Sequence, residues 1–334
     1  MNTKDTVMIS EKRITILMPT YNKGEFIAEA IESVLMQKVN CGFELIIIDD
    51  KSTDGSLKIA QGYCSKYPDQ IKIIKNKTNE GCLSAIVKGY EQAKKEYLCV
   101  LDPDDYWTDE NKLQNAVSFL DNHPDFTMYI ANTYIDKDKI KTPYFNITQD
   151  QEFSFEQLNG AVWGHTSGVI FRNVIFKIGV PEYMYKAIGT KNEVCFRGDS
   201  FRNIIHLKAG KARVVNHIES VYRITTDGIW SSLSQFRQNT YNARFFLKMF
   251  LLFDKELPEF FITRFAGFCR ANLELIKAPD SKVISAKDLS DFDEVLEECD
   301  KFYKISENKC FSVKKGFCGF GPLVRAWKSL FCKK

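Results

Sequence analysis

The 334-residue sequence lacks several features that would assign a protein to a class at once. Its ten cysteines are scattered and include no CxxC pair, which argues against a zinc site and favours free thiols in a reducing compartment. It contains no uninterrupted run of about 18 apolar residues. The N-terminal stretch also has no apolar core of signal-peptide length. We therefore expect a cytosolic protein that does not span a membrane.

The sequence also lacks a large excess of charge of either sign. Lys and Arg together number 46 against 43 Asp and Glu, for a net charge of +3, which is too balanced for a general nucleic-acid binder. Hydrophobic residues make up 44% and charged residues 27%, so disorder and collagen-like repeats are excluded. At about 150 residues per domain, the length predicts roughly two domains.

The apolar pattern predicts an α/β fold followed by helices. Over the first 130 residues, short apolar runs alternate with amphipathic stretches, as in βαβ units with a mainly parallel sheet. Strands are expected at 14–18, 45–48, 71–74 and 97–101, with helices at 24–37, 83–94 and 111–120. From about Phe126 the pattern predicts short strands and loops. After Trp230 it predicts long helices, at 233–253, 259–276 and 286–303.

Acidic residues are concentrated directly after the fourth predicted strand. Asp102 and Asp104 point the same way along an extended segment, Pro103 restricts the backbone, and Asp105 adds a third carboxylate. Neighbouring carboxylates repel one another unless a cation neutralises them, and oxygen ligands suit Mg²⁺ or Mn²⁺ bound together with substrate phosphates. The alternative is a β-turn leading into an N-capped helix.

Four motifs occur in the order typical of one family. PTYNKGEFIAEAIESVLMQ, LIIIDDKSTDGS, NEGCLSAIVKGYEQAKKEYLCVLDPDDYW and NKLQNAVSFL resemble the nucleotide-sugar domain of the family 2 glycosyltransferases, which have the GT-A fold. The resemblance is continuous from about residue 14 to 134, weakens through 135–230 and is absent beyond about 235. It implies a mainly parallel, Rossmann-like sheet with helices on both faces, followed by an α-helical region.

The resemblance also implies donor-site residues. The expected nucleotide-sugar-binding residues are Pro19, Thr20, Tyr21, Asp50, Gly81, Lys88, Asp102, Asp104 and Arg223. The counterpart of Asp50 contacts the base, commonly uracil, so a UDP-sugar is the expected donor. Asp104 and Asp105 are the expected ligands of Mn²⁺ or Mg²⁺. Two departures from the family pattern stand out: Ile86-Val87 replaces an Arg-Asn pair, and Thr225 replaces a His.

The segment FRGDSFR, residues 196–202, resembles the stretch of the family that carries the catalytic base. Asp199 is therefore the expected base for the acceptor hydroxyl, with inversion at the anomeric carbon; the alternative is a helix N-cap. The resemblance places Trp163, His165, Thr166 and Trp230 as candidates to contact the acceptor. For His165, a structural hydrogen-bonding role stays equally open.

The expected domains are a glycosyltransferase domain at 1–232, a helical domain at 233–308 and a basic amphipathic tail at 309–334. The first domain divides into a nucleotide-sugar half, about 12–134, and an acceptor half, about 135–232. The tail mixes Lys and Arg with Phe, Leu and Trp and has no acidic residue. This composition favours peripheral contact with an anionic membrane surface at its inner face, whereas packing on its own domain is the alternative.

The expected function is inverting, metal-dependent transfer of a sugar from a nucleoside diphosphate sugar to a hydroxyl. The resemblance implies a glycan or lipid-linked acceptor and a role in cell-surface polysaccharide synthesis, with no nucleic-acid partner. Two alternatives remain open. One is a phosphatase of the haloacid dehalogenase type using Asp102 and Asp104, and the other is a module that binds sugar nucleotides without turnover.

Overall fold

The computed structural model describes residues 11–161, 163–226, 228–253, 256, 258–278 and 284–307. These residues divide into two compact units, with the boundary between Thr225 and Thr226. The domain limits expected from the sequence remain a prediction. The basic tail at 309–334 lies outside the described residues.

The first unit is built on a mixed sheet that has ten strands among the described residues. They are β1 (Lys12–Thr20), β2 (Gly42–Asp49), β3 (Ile71–Lys75), β4 (Tyr97–Val100), β5 (Tyr106–Trp107), β6 (Phe126–Lys137), β7 (Ile140–Pro143), β8 (Gln151–Phe153), β9 (Val169–Arg172) and β10 (Lys211–Arg223). The main order is β3-β2-β1-β4-β9-β6-β10-β5, with β7 beside β6 and β8 beside β10. Strands β1 to β4 are parallel, whereas β9 runs antiparallel to both β4 and β6.

Helices pack on this sheet as the apolar pattern predicts. They are α1 (Ile27–Leu35), α2 (Ser56–Lys66), α3 (Cys82–Gln92), α4 (Lys112–Asn122), α5 (Glu182–Ala187) and α6 (Asp199–Ala209). The Leu45–Ile48 run of β2 is buried throughout, as expected for a parallel strand covered on both faces. Gly89 lets α3 approach β1 closely, because a Cβ there would lie only 3.0 Å from the Leu17 side chain.

Two strands are much longer than the sequence pattern predicts. Instead of short strands after Phe126, β6 runs for 12 residues and pairs in parallel with the 13-residue β10. Polar residues inside these strands interrupt the apolar pattern in the sequence, although they are buried and form hydrogen bonds with each other. Thr133 Oγ1, for example, lies 2.8 Å from Ser220 Oγ across the two strands.

The second unit contains three long helices among its described residues, close to their predicted positions. They are α7 (Gln235–Leu252), α8 (Pro258–Lys277) and α9 (Ala286–Glu307). Phenylalanines dominate the core between them, with Phe250, Phe261, Phe265 and Phe292 almost fully buried. Across the described residues, no helix is long and apolar enough to cross a membrane.

Candidate active site

The carboxyl ends of β1 to β4 lie along one edge of the sheet, and the polar residues expected at a donor site follow them. Backbone hydrogen bonds join these ends, from the Asp50 amide to the Thr20 carbonyl at 2.8 Å and from the Asn76 amide to the Asp49 carbonyl at 2.9 Å. Thr20 is buried, whereas Tyr21 is 45% exposed. The strand ends that the sequence predicted to be neighbours are therefore neighbours.

The loop after β1 is fixed by the segment that follows β2. Asn22 adopts a left-handed φ of 50°, which Asn tolerates better than most residues, and its Oδ1 accepts from the Thr53 amide at 2.8 Å. The Lys23 amide donates to Ser56 Oγ at 2.8 Å. These bonds hold the backbone that follows Pro19.

Asp50 holds the loop between β3 and α3. Its Oδ1 accepts from Asn76 Nδ2 at 2.7 Å and from the Glu80 amide at 2.9 Å, and its Oδ2 accepts from the Gly81 amide at 2.8 Å. Gly81 has a φ of +89°, which favours glycine. Lys88 Nζ donates to Glu80 Oε2 at 2.6 Å and to Asn76 Oδ1 at 2.7 Å. Asp50 and Lys88 thus order this loop from within.

Three carboxylates cluster where β4 ends. Burial and the Asp104 carboxylate raise the pKa of Asp102 to about 6. Burial, with Asp102 and Asp104, also raises the pKa of Asp105 well above its usual range. Asp105 Oδ1 accepts from the Arg223 amide at 3.0 Å. The pKa values of Asp102 and Asp105 are thus raised chiefly because burial disfavours a charged carboxylate, and the neighbouring carboxylates add to the effect.

Two cations touch the cluster. Lys23 Nζ lies 3.0 Å from Asp104 Oδ2. Arg223 donates to the Asp104 carbonyl at 2.9 Å and to Glu29 Oε2 at 2.6 Å, and its guanidinium stacks 4.3 Å from the centre of the Tyr106 ring. The Arg223 side chain, expected to contact phosphate, is thus engaged with protein groups in this conformation.

Asp199 is the first residue of α6. Its Oδ1 accepts from the Ser200 amide at 2.6 Å, while Oδ2 has no hydrogen bond within the described part of the chain. The charge of Asp199 contributes to the raised pKa of Asp102, so the base candidate lies near the carboxylate cluster. One turn later, buried Arg202 donates to Thr166 Oγ1 at 2.9 Å. Thr166 is therefore linked to the helix that carries Asp199.

His165 packs beside the same cluster. Its ring stacks on Tyr222 with centroids 4.1 Å apart, and burial lowers its pKa to about 4, so it is neutral near pH 7. Nδ1 accepts from the Ser167 amide at 3.3 Å and lies 3.7 Å from Asp105 Oδ2. Because Nδ1 accepts that hydrogen bond, it has no proton to donate to Asp105.

The two tryptophans expected at the acceptor side belong to different units, Trp163 to the first and Trp230 to the second. Trp163 lines an apolar cavity with Met128, Ile130 and Leu207. Trp230 belongs to the second unit and is 43% exposed. Their contact with an acceptor remains a prediction.

The carboxylate cluster fits a divalent cation. Asp105 Oδ2 is buried without a hydrogen-bond donor among the described residues, and such a carboxylate oxygen is costly unless a cation or donor reaches it. Asp109, His217 and Glu219 form a second set with ligand atoms within 4.8 Å of one another. There, Lys112 Nζ already lies 3.3 Å from Glu219 Oε2 and balances its charge.

Sequence reasoning missed four residues of the site. They are Lys23, Glu29, Arg202 and Tyr222. Their positions depend on contacts between distant segments, such as the 119-residue separation between Arg223 and Asp104. Only the position of Lys23, just after the PTYN segment, was a usable signal.

This arrangement can be compared with known proteins. Residues 15–179 match the model of the family described as glycosyl transferase family 2. This segment of the chain belongs to glycosyltransferase family 2. The resemblance read from the four motifs is thereby confirmed. The same match argues against the alternative of a phosphatase of the haloacid dehalogenase type, because it includes Asp102 and Asp104.

Curated relatives of this chain include WfaP of Escherichia coli, described as a UDP-Glc:alpha-D-GlcNAc-diphosphoundecaprenol beta-1,3-glucosyltransferase. The two are 27% identical over 226 residues, 67% of this chain and 82% of WfaP. The chain spans 64% of the length of mycobacterial relatives that it matches at 28% identity.

Solved structures show the same fold at low identity. TarS 1–349 of S. aureus, in complex with UDP-GlcNAc, has a TM-score of 0.61 and 16% identity, covering 86% of this chain and 80% of TarS. The mannosyltransferase PcManGT of Pyrobaculum calidifontis, in complex with GDP-Man and Mn²⁺, has a TM-score of 0.52 and 15% identity, covering 97% and 88%. The expected GT-A fold with a helical C-terminal region is confirmed.

Proposed function

We propose that this chain is an inverting, metal-dependent glycosyltransferase that moves a sugar from a UDP-sugar to a hydroxyl of a glycan or lipid-linked acceptor. The observation that carries the proposal is the carboxylate cluster at the end of β4, close to Asp199 at the start of α6. In this cluster Asp105 Oδ2 is buried and accepts no hydrogen bond from the part of the chain that the structure describes. Family membership supplies the reaction class, and WfaP and TarS, which act on or bind UDP-sugars, support the nucleotide.

The donor is held at the carboxyl ends of β1 to β4. Pro19 and Thr20 at the end of β1, and Tyr21 directly after it, face the nucleotide, and the loop in which the Gly81 amide donates to Asp50 forms the opposite wall. A bound Mn²⁺ or Mg²⁺ at Asp104 and Asp105 would neutralise charge on the departing diphosphate. The Mn²⁺ complex of PcManGT supports a metal of this kind.

Asp199 Oδ2 accepts the proton of the acceptor hydroxyl as its oxygen attacks the anomeric carbon. The bond from that carbon to the phosphate oxygen breaks, and its electron pair leaves with the nucleoside diphosphate. Attack from the side opposite the leaving group inverts the anomeric configuration. Oδ2 suits this role because the Ser200 amide occupies only Oδ1, so the second oxygen can reach a substrate proton.

We further propose that the enzyme works in the cytoplasm on acceptors of cell-surface polysaccharide synthesis. The lipid-linked acceptor named for WfaP supports this class. Peripheral membrane contact through 309–334 rests on the basic and aromatic composition of that segment alone.

A donor screen tests the proposal. We expect UDP-sugars with Mn²⁺ to raise the melting temperature, because ligand binding stabilises the folded state, whereas GDP- and dTDP-sugars should have little effect. Asp104→Asn should remove the Mn²⁺-dependent part, and Asp125→Asn, in an exposed ion pair with Lys211, serves as the matched control. Absence of stabilisation and hydrolysis across the panel would refute the proposal. Binding without turnover, with acceptors present, would instead favour a non-catalytic module.

A further inference from the structure

Lys23 carries the ammonium that contacts the carboxylate cluster most directly. Its Nζ lies 3.0 Å from Asp104 Oδ2, and the two side chains are only 14% and 17% exposed. The charge of Lys23 also lowers the pKa of Asp102 against the effects of burial and Asp104. An ion pair this sheltered is screened less by water and salt than a surface pair.

The backbone places this ammonium without help from the ion pair. The Lys23 amide donates to Ser56 Oγ at 2.8 Å, and its carbonyl accepts from the Phe26 and Ile27 amides at 3.0 and 2.9 Å. Next to it, the Gly24 amide donates to Asp54 Oδ2 at 2.8 Å. The loop therefore keeps its shape when the Lys23 side chain is shortened or neutralised.

A metal ion and Lys23 are attracted to the same carboxylate. Asp104 is one of the two expected metal ligands, and its Oδ2 already faces the ammonium. Among the described residues, Asp105 Oδ2 is a second carboxylate oxygen without a hydrogen-bond donor. A divalent cation held by both residues would lie close to the ammonium that already pairs with Asp104, and the two positive charges would repel each other.

We propose that Lys23 is a resident counter-ion of Asp104 that competes with the divalent cation and makes metal binding depend on the nucleotide. This inference rests on the proposed function, because it needs the metal at Asp104. The diphosphate of a bound nucleotide is an alternative anionic partner for the ammonium. Nucleotide binding then relieves the competition, so metal and nucleotide bind cooperatively, with equal coupling in both directions.

Mn²⁺ binding to the full chain tests this without catalysis. Free Mn²⁺ is measured by electron paramagnetic resonance, with Mn²⁺ alone and then with UDP. We expect Lys23→Met to bind Mn²⁺ alone about fivefold more tightly than the original chain. A free-energy difference of about 1.4 kcal/mol changes a dissociation constant tenfold, and a sheltered ion pair contributes somewhat less than that amount. The enhancement by UDP should be smaller in this variant.

Three further variants make the result interpretable. Lys23→Arg keeps the charge and should bind Mn²⁺ like the original chain. Lys211→Met removes a lysine from an exposed ion pair with Asp125 and should change nothing. Asp104→Asn should weaken binding.

Two results overturn the account at different levels. Mn²⁺ affinity in Lys23→Met equal to or weaker than in the original chain, with Asp104→Asn weakened, overturns the role of Lys23 alone. Unchanged affinity in Asp104→Asn overturns the metal site of the proposed function as well.

Discussion

Replacing Asp102 with Asn should stabilise the metal-free protein at neutral pH. Its pKa of about 6 in the folded protein lies above the ordinary aspartate value of about 3.9, so the folded state binds the proton more tightly than the unfolded chain. The free energy of unfolding therefore falls as pH rises from about 4 to about 6, because ionising Asp102 costs more free energy in the folded protein than in the unfolded chain. Asn carries no charge and escapes this loss.

The difference between the folded and the unfolded pKa of Asp102 sets the size of the effect. At 1.36 kcal/mol per unit, the loss approaches about 3 kcal/mol at pH 7.5 and is about half of that at pH 5. For a unit of this size, 1 kcal/mol moves the melting temperature by about 2–4 °C, so Asp102→Asn should melt about 6–12 °C higher at pH 7.5.

The assay is thermal melting in EDTA at pH 5 and pH 7.5. Asp125→Asn is the control with the opposite sign, because the hydrogen bond from Lys211 lowers the pKa of Asp125 and its removal should reduce stability at pH 7.5. Added Mn²⁺ should reduce the difference in melting temperature between Asp102→Asn and the original chain. If Asp102→Asn melts no higher than the original chain at pH 7.5, or if its melting temperature is raised equally at both pH values, the charge on Asp102 does not destabilise the folded protein.

Two further predictions concern buried charges that shape the site. Asp50→Ala leaves the Glu80 and Gly81 amides without their acceptor. Because charge-assisted hydrogen bonds contribute about 1.5–3 kcal/mol each, UDP affinity measured by calorimetry should fall at least about tenfold. Unchanged affinity would show that Asp50 does not shape the donor site. Lys112→Met leaves Glu219 charged and fully buried, which should cost about 3–5 kcal/mol in urea unfolding. Adding Glu219→Gln should recover most of that loss, and a double variant as unstable as the single one would contradict the pairing.

The donor edge could be predicted from the sequence because it follows from regular features. Parallel strands place their carboxyl ends together, so the apolar runs before Thr20, Asp50 and Asp102 were enough to bring these residues to one edge. The helices were predicted for a similar reason, since the period of α1 already marks Ile27 and Val34 as buried.

The rest of the site depends on contacts that no local pattern encodes. Arg202 donates to Thr166, 36 residues away in the sequence. Lys23 contacts Asp104 because the loops after β1 and β4 begin at the same edge of the sheet. Strands β6 and β10 were underestimated because buried polar residues such as Thr133 satisfy each other across the sheet. Such pairing is visible only once the strand register is known.

Turnover by an Asp199→Asn variant decides whether Asp199 is the catalytic base. If it is, transfer from a UDP-sugar falls by at least about 100-fold, the usual contribution of a general base, while UDP and Mn²⁺ affinities stay as in the original chain. Glu182→Gln, an acidic residue in the first turn of α5 with an exposed ion-pair partner, is the matched control and should retain full activity. Undiminished transfer by Asp199→Asn, measured as UDP release with acceptor present, would contradict the account.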